Sequence, residues 1–164
     1  MSFVAEPRRR ASPDYFLRAE APLWPDNAVA AILLLEDGRY IMQLRDVSPS
    51  IFYPDHWGCF GGAVEAGELP LDALRRELLE EIELLVEEGR EFTCFDFDFR
   101  ALGRPKVFRS YYEVRVTADA FRRMTLHEGA DIRAFDGVEL LALEKVTPYD
   151  AFAIWIHISR RRFA

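Results

Sequence analysis

GAVEAGELPLDALRRELLEEIEL, running from Gly62 to Leu84, decides the reading of this chain because it concentrates acid on one short helix. The helix is expected to begin near Pro70, a residue tolerated in a first helical turn. Leu71, Leu74, Leu78, Ile82 and Leu85 then recur at helical spacing and should face a core. Glu77, Glu80 and Glu81 stand at i, i+3 and i+4, so their carboxylates share one face, along the flank of that apolar stripe. Like charges at these spacings cost roughly a few tenths of a kcal/mol per pair. Such a cluster makes sense with a cation among its oxygens, and hard divalent ions such as Mg²⁺ accept oxygen ligands and also bind phosphates.

The same residues resemble the signature of the Nudix hydrolases, G-x5-E-x7-R-E-U-x-E-E-x-G-U with U aliphatic. Gly62, Glu68, Arg76, Glu77, Leu78, Glu80, Glu81 and Leu84 match it, while Glu83 stands where the signature has its late glycine. Trp57-Gly58-Cys59-Phe60-Gly61-Gly62 also looks like the approach to a Nudix box. A glycine past a helix end supplies a left-handed cap. With Glu83 there instead, the helix is expected to continue to Glu87 or Glu88 and to stop at Gly89.

The resemblance implies an α/β fold, an α/β/α sandwich around a mixed β-sheet. It implies Mg²⁺ or Mn²⁺ held by Glu77, Glu80, Glu81 and the backbone carbonyl of Gly61. The catalytic set it implies is Glu77, Glu81, Arg76 and Glu128. Arg76 would orient the carboxylates, pairing with Glu80 or reaching Glu68 across the loop, and the alternative is a surface ion pair. Glu68 would fix the loop against the helix; Glu65 would do likewise, touch a metal, or be a plain loop acid. Glu128, in Leu126-His127-Glu128-Gly129, resembles a distal loop acid that serves as metal ligand or general base. As a mobile loop acid it would approach the water only with substrate bound, and a solvated acid is the competing reading. His127 is a weaker candidate.

Arg45 resembles an arginine that meets substrate phosphate, against the alternative of a strand-end charge. Trp57, Phe52 and Tyr53 are candidates to stack on a base, or else pack the core. The activity implied is metal-dependent cleavage of a nucleoside diphosphate linked to another moiety, of ADP-ribose or nucleotide-sugar type. A triphosphatase that sanitises the nucleotide pool is the alternative within enzymes. A non-catalytic nucleotide-binding module is the alternative outside them, with Glu83 its one supporting residue. A homodimer stays open.

The rest of the chain sets bounds. Its 164 residues suggest one domain over 14–164 behind a tail or edge segment at 1–13. Half the residues are hydrophobic, which excludes a disordered chain. No apolar run is long enough to span a bilayer and no signal-peptide pattern opens the sequence, so a cytoplasmic protein with no membrane partner is expected. Cys59 and Cys94 lack metal spacing and read as reduced thiols. A net charge of −7 argues against extended nucleic acid, while a small phosphorylated substrate remains compatible because bound metal inverts the local field. Arg8-Arg9-Arg10 reads as a solvated segment.

Ala28 to Glu36 is an apolar run that turns at Asp37-Gly38 into a second strand, Arg39 to Arg45, predicting a hairpin with a two-residue turn. Asp46 to His56 should be a loop. Further strands are expected at 92–102, 106–116 and 132–135. Asp136-x-x-Glu139 predicts a capping box. Thr147 and Pro148 should start a final helix with Phe152, Trp155, Ile156 and Phe163 on one side and Arg160 to Arg162 near its end.

Overall fold

The computed structural model describes residues 27–103 and 106–160; the segment 1–13 with Arg8 to Arg10, and Arg161, Arg162 and Phe163, lie outside the described residues. The apolar run forms β1 (Asn27–Leu35), buried from Val29 to Leu35. A strand apolar on both sides must be covered on both faces. β1 pairs in parallel along its whole length with β5 (Lys106–Val116), from Asn27 opposite Phe108 to Leu35 opposite Val116. β4 (Arg90–Asp98) lies antiparallel on the far side of β5. β2 (Tyr40–Leu44) pairs antiparallel with β1, β3 (Trp57–Gly58) and β6 (Asp131–Phe135), completing a six-stranded mixed sheet.

Alternation along β1 and β5 sorts side chains into two layers. Val29, Ala31, Leu33, Val114 and Val116 face α1 (Pro70–Ile82), whose Leu74, Leu78 and Ile82 are wholly buried. Ala30, Ile32, Leu34 and Tyr111 pack instead with Leu140 of α3 (Gly137–Ala142) and Ala153 and Ile154 of α4 (Pro148–Ser159). Helices thus cover both faces, giving an α/β/α sandwich. Among the described residues no helix is long and apolar enough to cross a membrane. Cys59 is buried, Cys94 is exposed, and both thiols are free.

Several local expectations need correction. The hairpin loop has three residues, Glu36 to Gly38: Gly38 N–H bonds Leu35 O, Arg39 O accepts from Leu35, and Gly38 takes φ 89°. A left-handed third residue lets such a loop close a twisted hairpin. α1 stops at Ile82 and does not run on to Glu87 or Glu88, because Glu83 itself adopts the left-handed conformation (φ 56°, ψ 28°). Leu85, beyond that turn, is 80% exposed and leaves the apolar stripe.

On α4 the buried face is Tyr149, Ala153, Ile154 and His157, whereas Phe152 and Trp155 are exposed. Phe152 and Trp155 do share one side of the helix, their rings stacked, and it is the outward one. Thr147 caps by position only; its hydroxyl donates to Asp150 at 2.6 Å. The Asp136 cap is present, accepting from Val138 and Glu139. A further short helix, α2 (Ala118–Arg123), was unforeseen; Thr117 caps it by accepting from Ala120.

Beneath α4 the buried imidazole of His157 joins three elements. Its Nδ1 meets Tyr40 Oη at 2.8 Å and Arg160 Nη1 at 3.0 Å, and its Nε2 meets Glu113 Oε2 at 2.7 Å. Two donors at Nδ1 assign the proton to Nε2, so the ring is neutral and donates to Glu113. Burial holds His157 below its ordinary pKa, with the Glu113 hydrogen bond opposing in part. Burial works to raise Glu113, but the His157 hydrogen bond and Arg115 outweigh it and leave the carboxyl below its usual range. Both groups therefore bind protons more weakly when folded, so stability rises with pH wherever the unfolded chain takes them up. The His157 contribution is present above the ordinary histidine value of about 6.5 and is lost as pH falls below it; that of Glu113 is lost further down, through its folded pKa. Urea titrations from about pH 8 to about pH 4 should show this decline. His157→Gln should flatten it near pH 6 or so, and an unchanged slope in that variant would contradict the assignment.

Candidate active site

Arg76 organises the acids of the box. Its Nε and Nη2 grip both Glu68 oxygens at 2.9 and 3.0 Å, and Nη2 also donates to Ala63 O. Nη1 donates to Glu77 Oε1 at 2.7 Å and reaches Glu80 Oε2 at 3.4 Å. Both partners anticipated for Arg76 are thus engaged. A bidentate guanidinium–carboxylate pair fixes orientation as well as charge. Glu68 in turn accepts from Glu65 N–H, tying the loop to the helix. The Glu68 hydrogen bond comes first among the causes that raise Arg76 above its ordinary pKa.

The three acids of α1 differ in depth. Glu81 is buried and Glu77 mostly so, while the Glu80 side chain is 61% exposed. Glu81 Oε2 accepts from Gly61 N–H at 3.0 Å. Residues 60–62 run beside β1, with Phe60 O and Gly62 O accepting from Ala31 and Val29, which leaves the Gly61 carbonyl outside that pairing. The Glu77 carboxyl group lies against Gly62, where an added Cβ would stand 2.5 Å from it. Only glycine allows this approach. Burial pushes the Glu81 carboxyl up to about 8; the Gly61 hydrogen bond opposes this, and Glu128 and Glu77 add to it. Burial also raises Glu77, against the pull of Arg76.

Glu128 therefore lies within electrostatic reach of both acids. Hydrogen bonds fasten the backbone of its loop on both sides. His127 N–H donates to Glu81 O at 2.8 Å, Ala130 N–H to Leu44 O at 2.8 Å, and Gln43 Nε2 to Glu128 O at 2.9 Å. The side chain of Glu128 remains exposed.

A second group of residues lies on the α4 side of the sheet. Asp150, wholly buried at the start of α4, accepts from Cys59 N–H (3.0 Å), Thr147 Oγ1 and Tyr111 Oη (3.0 Å) and pairs with Arg109 at 3.6 Å. Burial disfavours charge on Arg109, and Asp150 with the neighbouring tyrosines more than offsets it. The Arg109 guanidinium lies 5.3 Å from the Tyr149 ring centre. Around Tyr149 gather Phe52, Tyr53, Phe97 and Phe99, with centroids 5.9 to 6.2 Å away. Nε of Arg45 and of Arg109 are buried without a hydrogen-bond partner among the described residues. Trp57 stays apart, its ring packed on Phe135 and under Arg133. Sequence reasoning missed Arg109, Tyr149 and Asp150; the one signal, arginine among aromatic residues on β5, reads equally as strand patterning.

A buried anion with like-charged neighbours calls for a counter-cation. Among the described residues no three ligand side chains converge on one point as a ready cage; Arg76 draws Glu77 and Glu80 to itself instead. The donor set is nonetheless all oxygen, which suits hard divalent ions.

This fold and this acidic helix define a hydrolase of phosphoric anhydride bonds. The chain belongs to the Nudix family: the model described as NUDIX domain matches residues 24–157. It is 33% identical over 108 residues to the nucleoside triphosphatase NudI of Escherichia coli, spanning 62% of this chain and 75% of that protein. Its fold matches the MutT protein of Methanosarcina mazei Go1 with a TM-score of 0.69 at 21% identity, over 84% of this chain and 95% of that one. It also matches a bifunctional NMN adenylyltransferase/ADP ribose pyrophosphatase from Francisella tularensis, with a TM-score of 0.65 at 21% identity, over 91% of this chain and 44% of that one. Nudix hydrolases in general use divalent metal ions.

Proposed function

We propose that the protein hydrolyses a nucleoside diphosphate linked to a further group, with Mg²⁺ or Mn²⁺ held by Glu77, Glu80, Glu81 and the Gly61 carbonyl. One observation carries this reading: Glu77, Glu81 and Glu128 share one electrostatic neighbourhood at the Gly61–Gly62 turn. When bound, the cation neutralises phosphate oxygens and acidifies a water. The chain's own residues supply the rest. Glu128, exposed and free of the helix hydrogen bonds, is the acceptor for the water's proton. Arg76 holds Glu77 and Glu68 in place. Arg45 carries a buried Nε with no hydrogen-bond partner among the described residues, suited to phosphate charge, while the charge of Arg109 is already met by Asp150. The ring cluster around Tyr149, with Phe52 and Tyr53, offers faces for a base. Trp57 suits this less, since Phe135 and Arg133 already occupy its ring.

The likeness to NudI favours a second reading of the further group, as phosphate in a nucleoside triphosphate. The test is hydrolysis of a panel of nucleoside triphosphates, ADP-ribose and nucleotide sugars with Mg²⁺ or Mn²⁺, with products separated. Pyrophosphate and a monophosphate indicate the triphosphate class; a nucleoside monophosphate and a sugar phosphate indicate the other. Activity that persists at full rate in excess chelator would contradict the metal assignment.

A further inference from the structure

We propose that Glu83 and His127 form a clasp that positions the Glu128 loop over the box helix, so that Glu83 sets turnover while adding little to stability. Glu83 is the one residue of the box that departs from the signature, and it occupies a left-handed backbone conformation at φ 56°. Glycine adopts that conformation without strain and glutamate does not. The side chain should therefore do something that glycine cannot.

Its carboxylate Oε1 meets His127 Nε2 at 2.7 Å. The backbone of His127 is tied to the same helix end, donating to Glu81 O, and Thr125 N–H reaches Ile82 O at 3.4 Å. One residue is thus fastened twice to the last turn of α1, and Glu128 follows it directly. Gln43 and Leu44 hold the other side of the loop through Glu128 O and Ala130 N–H. The Glu83–His127 contact completes a two-sided mounting for Glu128, and without it the loop hangs from backbone bonds on the helix side.

Both side chains are about half exposed, at 55% and 48%. An exposed pair contributes little to stability, which leaves geometry as its consequence. Against a carboxylate, which only accepts, Nε2 is the donor of the pair. The inference rests on the proposed role of Glu128.

Glu83→Gly is the decisive variant, since it relieves the backbone and removes the carboxylate together. It should melt at the same or a higher temperature than the parent, with kcat lower by roughly ten-fold and KM little changed. His127→Ala should lower kcat to a similar degree, the double variant should be no worse than either single one, and His127→Gln, which keeps a donor, should recover part of the loss. In a Glu128→Gln background, Glu83→Gly should cost nothing further. Parental kcat in Glu83→Gly, or the same loss in the Glu128→Gln background, overturns the clasp while leaving the role of Glu128 standing. Parental kcat in Glu128→Gln alone overturns that role and the clasp with it.

Discussion

Glu81→Gln should lower kcat by at least roughly 10- to 100-fold while the metal-free protein stays at least as stable as the parent. Glu81 is the deepest of the three box acids, with its carboxyl raised to about 8 chiefly by burial. Folding works against its charge, and a neutral amide removes that penalty. The amide oxygen still accepts from Gly61 N–H, so the turn that presents Gly62 to Glu77 is retained. What disappears is a negative oxygen for a cation. Mg²⁺ should therefore raise the melting temperature of the parent more than that of the variant, because a ligand stabilises only the state it binds. Parental turnover in Glu81→Gln at saturating metal would refute the assignment.

Asp150→Ala should destabilise the fold by about 3–5 kcal/mol, through a different mechanism. Its carboxylate is the common acceptor for Cys59 N–H, Thr147 Oγ1 and Tyr111 Oη, and the partner of Arg109. Truncation strands a buried guanidinium together with the Cys59 N–H and the Thr147 hydroxyl, while Tyr111 Oη keeps the Tyr149 carbonyl at 3.2 Å, and each unmet group retains its desolvation cost. For a domain of this size the melting temperature should drop by on the order of 10 °C. Asp150→Asn, which keeps an acceptor oxygen, should fall between. A loss of less than about 1 kcal/mol in the alanine variant would mean that water or rearranged neighbours satisfy these groups.

The sequence displayed whatever was local and periodic. The apolar run at β1, the leucine stripe of α1 and the acid spacing each follow from one periodicity and needed no tertiary information. The box also offered Glu80 and Glu68 as partners for Arg76, and the guanidinium reaches both. Glu83 was misread because left-handed conformation is a preference of glycine and not its exclusive property. The buried face of α4 was not legible, because Phe152 and Trp155 are large yet lie outward, while Asp150 and His157 are polar yet buried. Burial of a charged residue depends on partners far away in sequence, here Arg109 and Glu113. The cluster around Tyr149 was hidden for the same reason, since it gathers rings from three separate segments.

The parallel pairing of β1 with β5 has a consequence for how the molecule is made. Residues 27–35 find their partner only at 108–116, after the box helix has already left the ribosome. A loop of that length must close before the sheet has a centre, which makes late, slow assembly the expectation for this topology. A chain stalled before β5 would carry the signature and the Gly61–Gly62 turn that meets it, but not the Glu128 loop or the strand that closes the centre of the sheet.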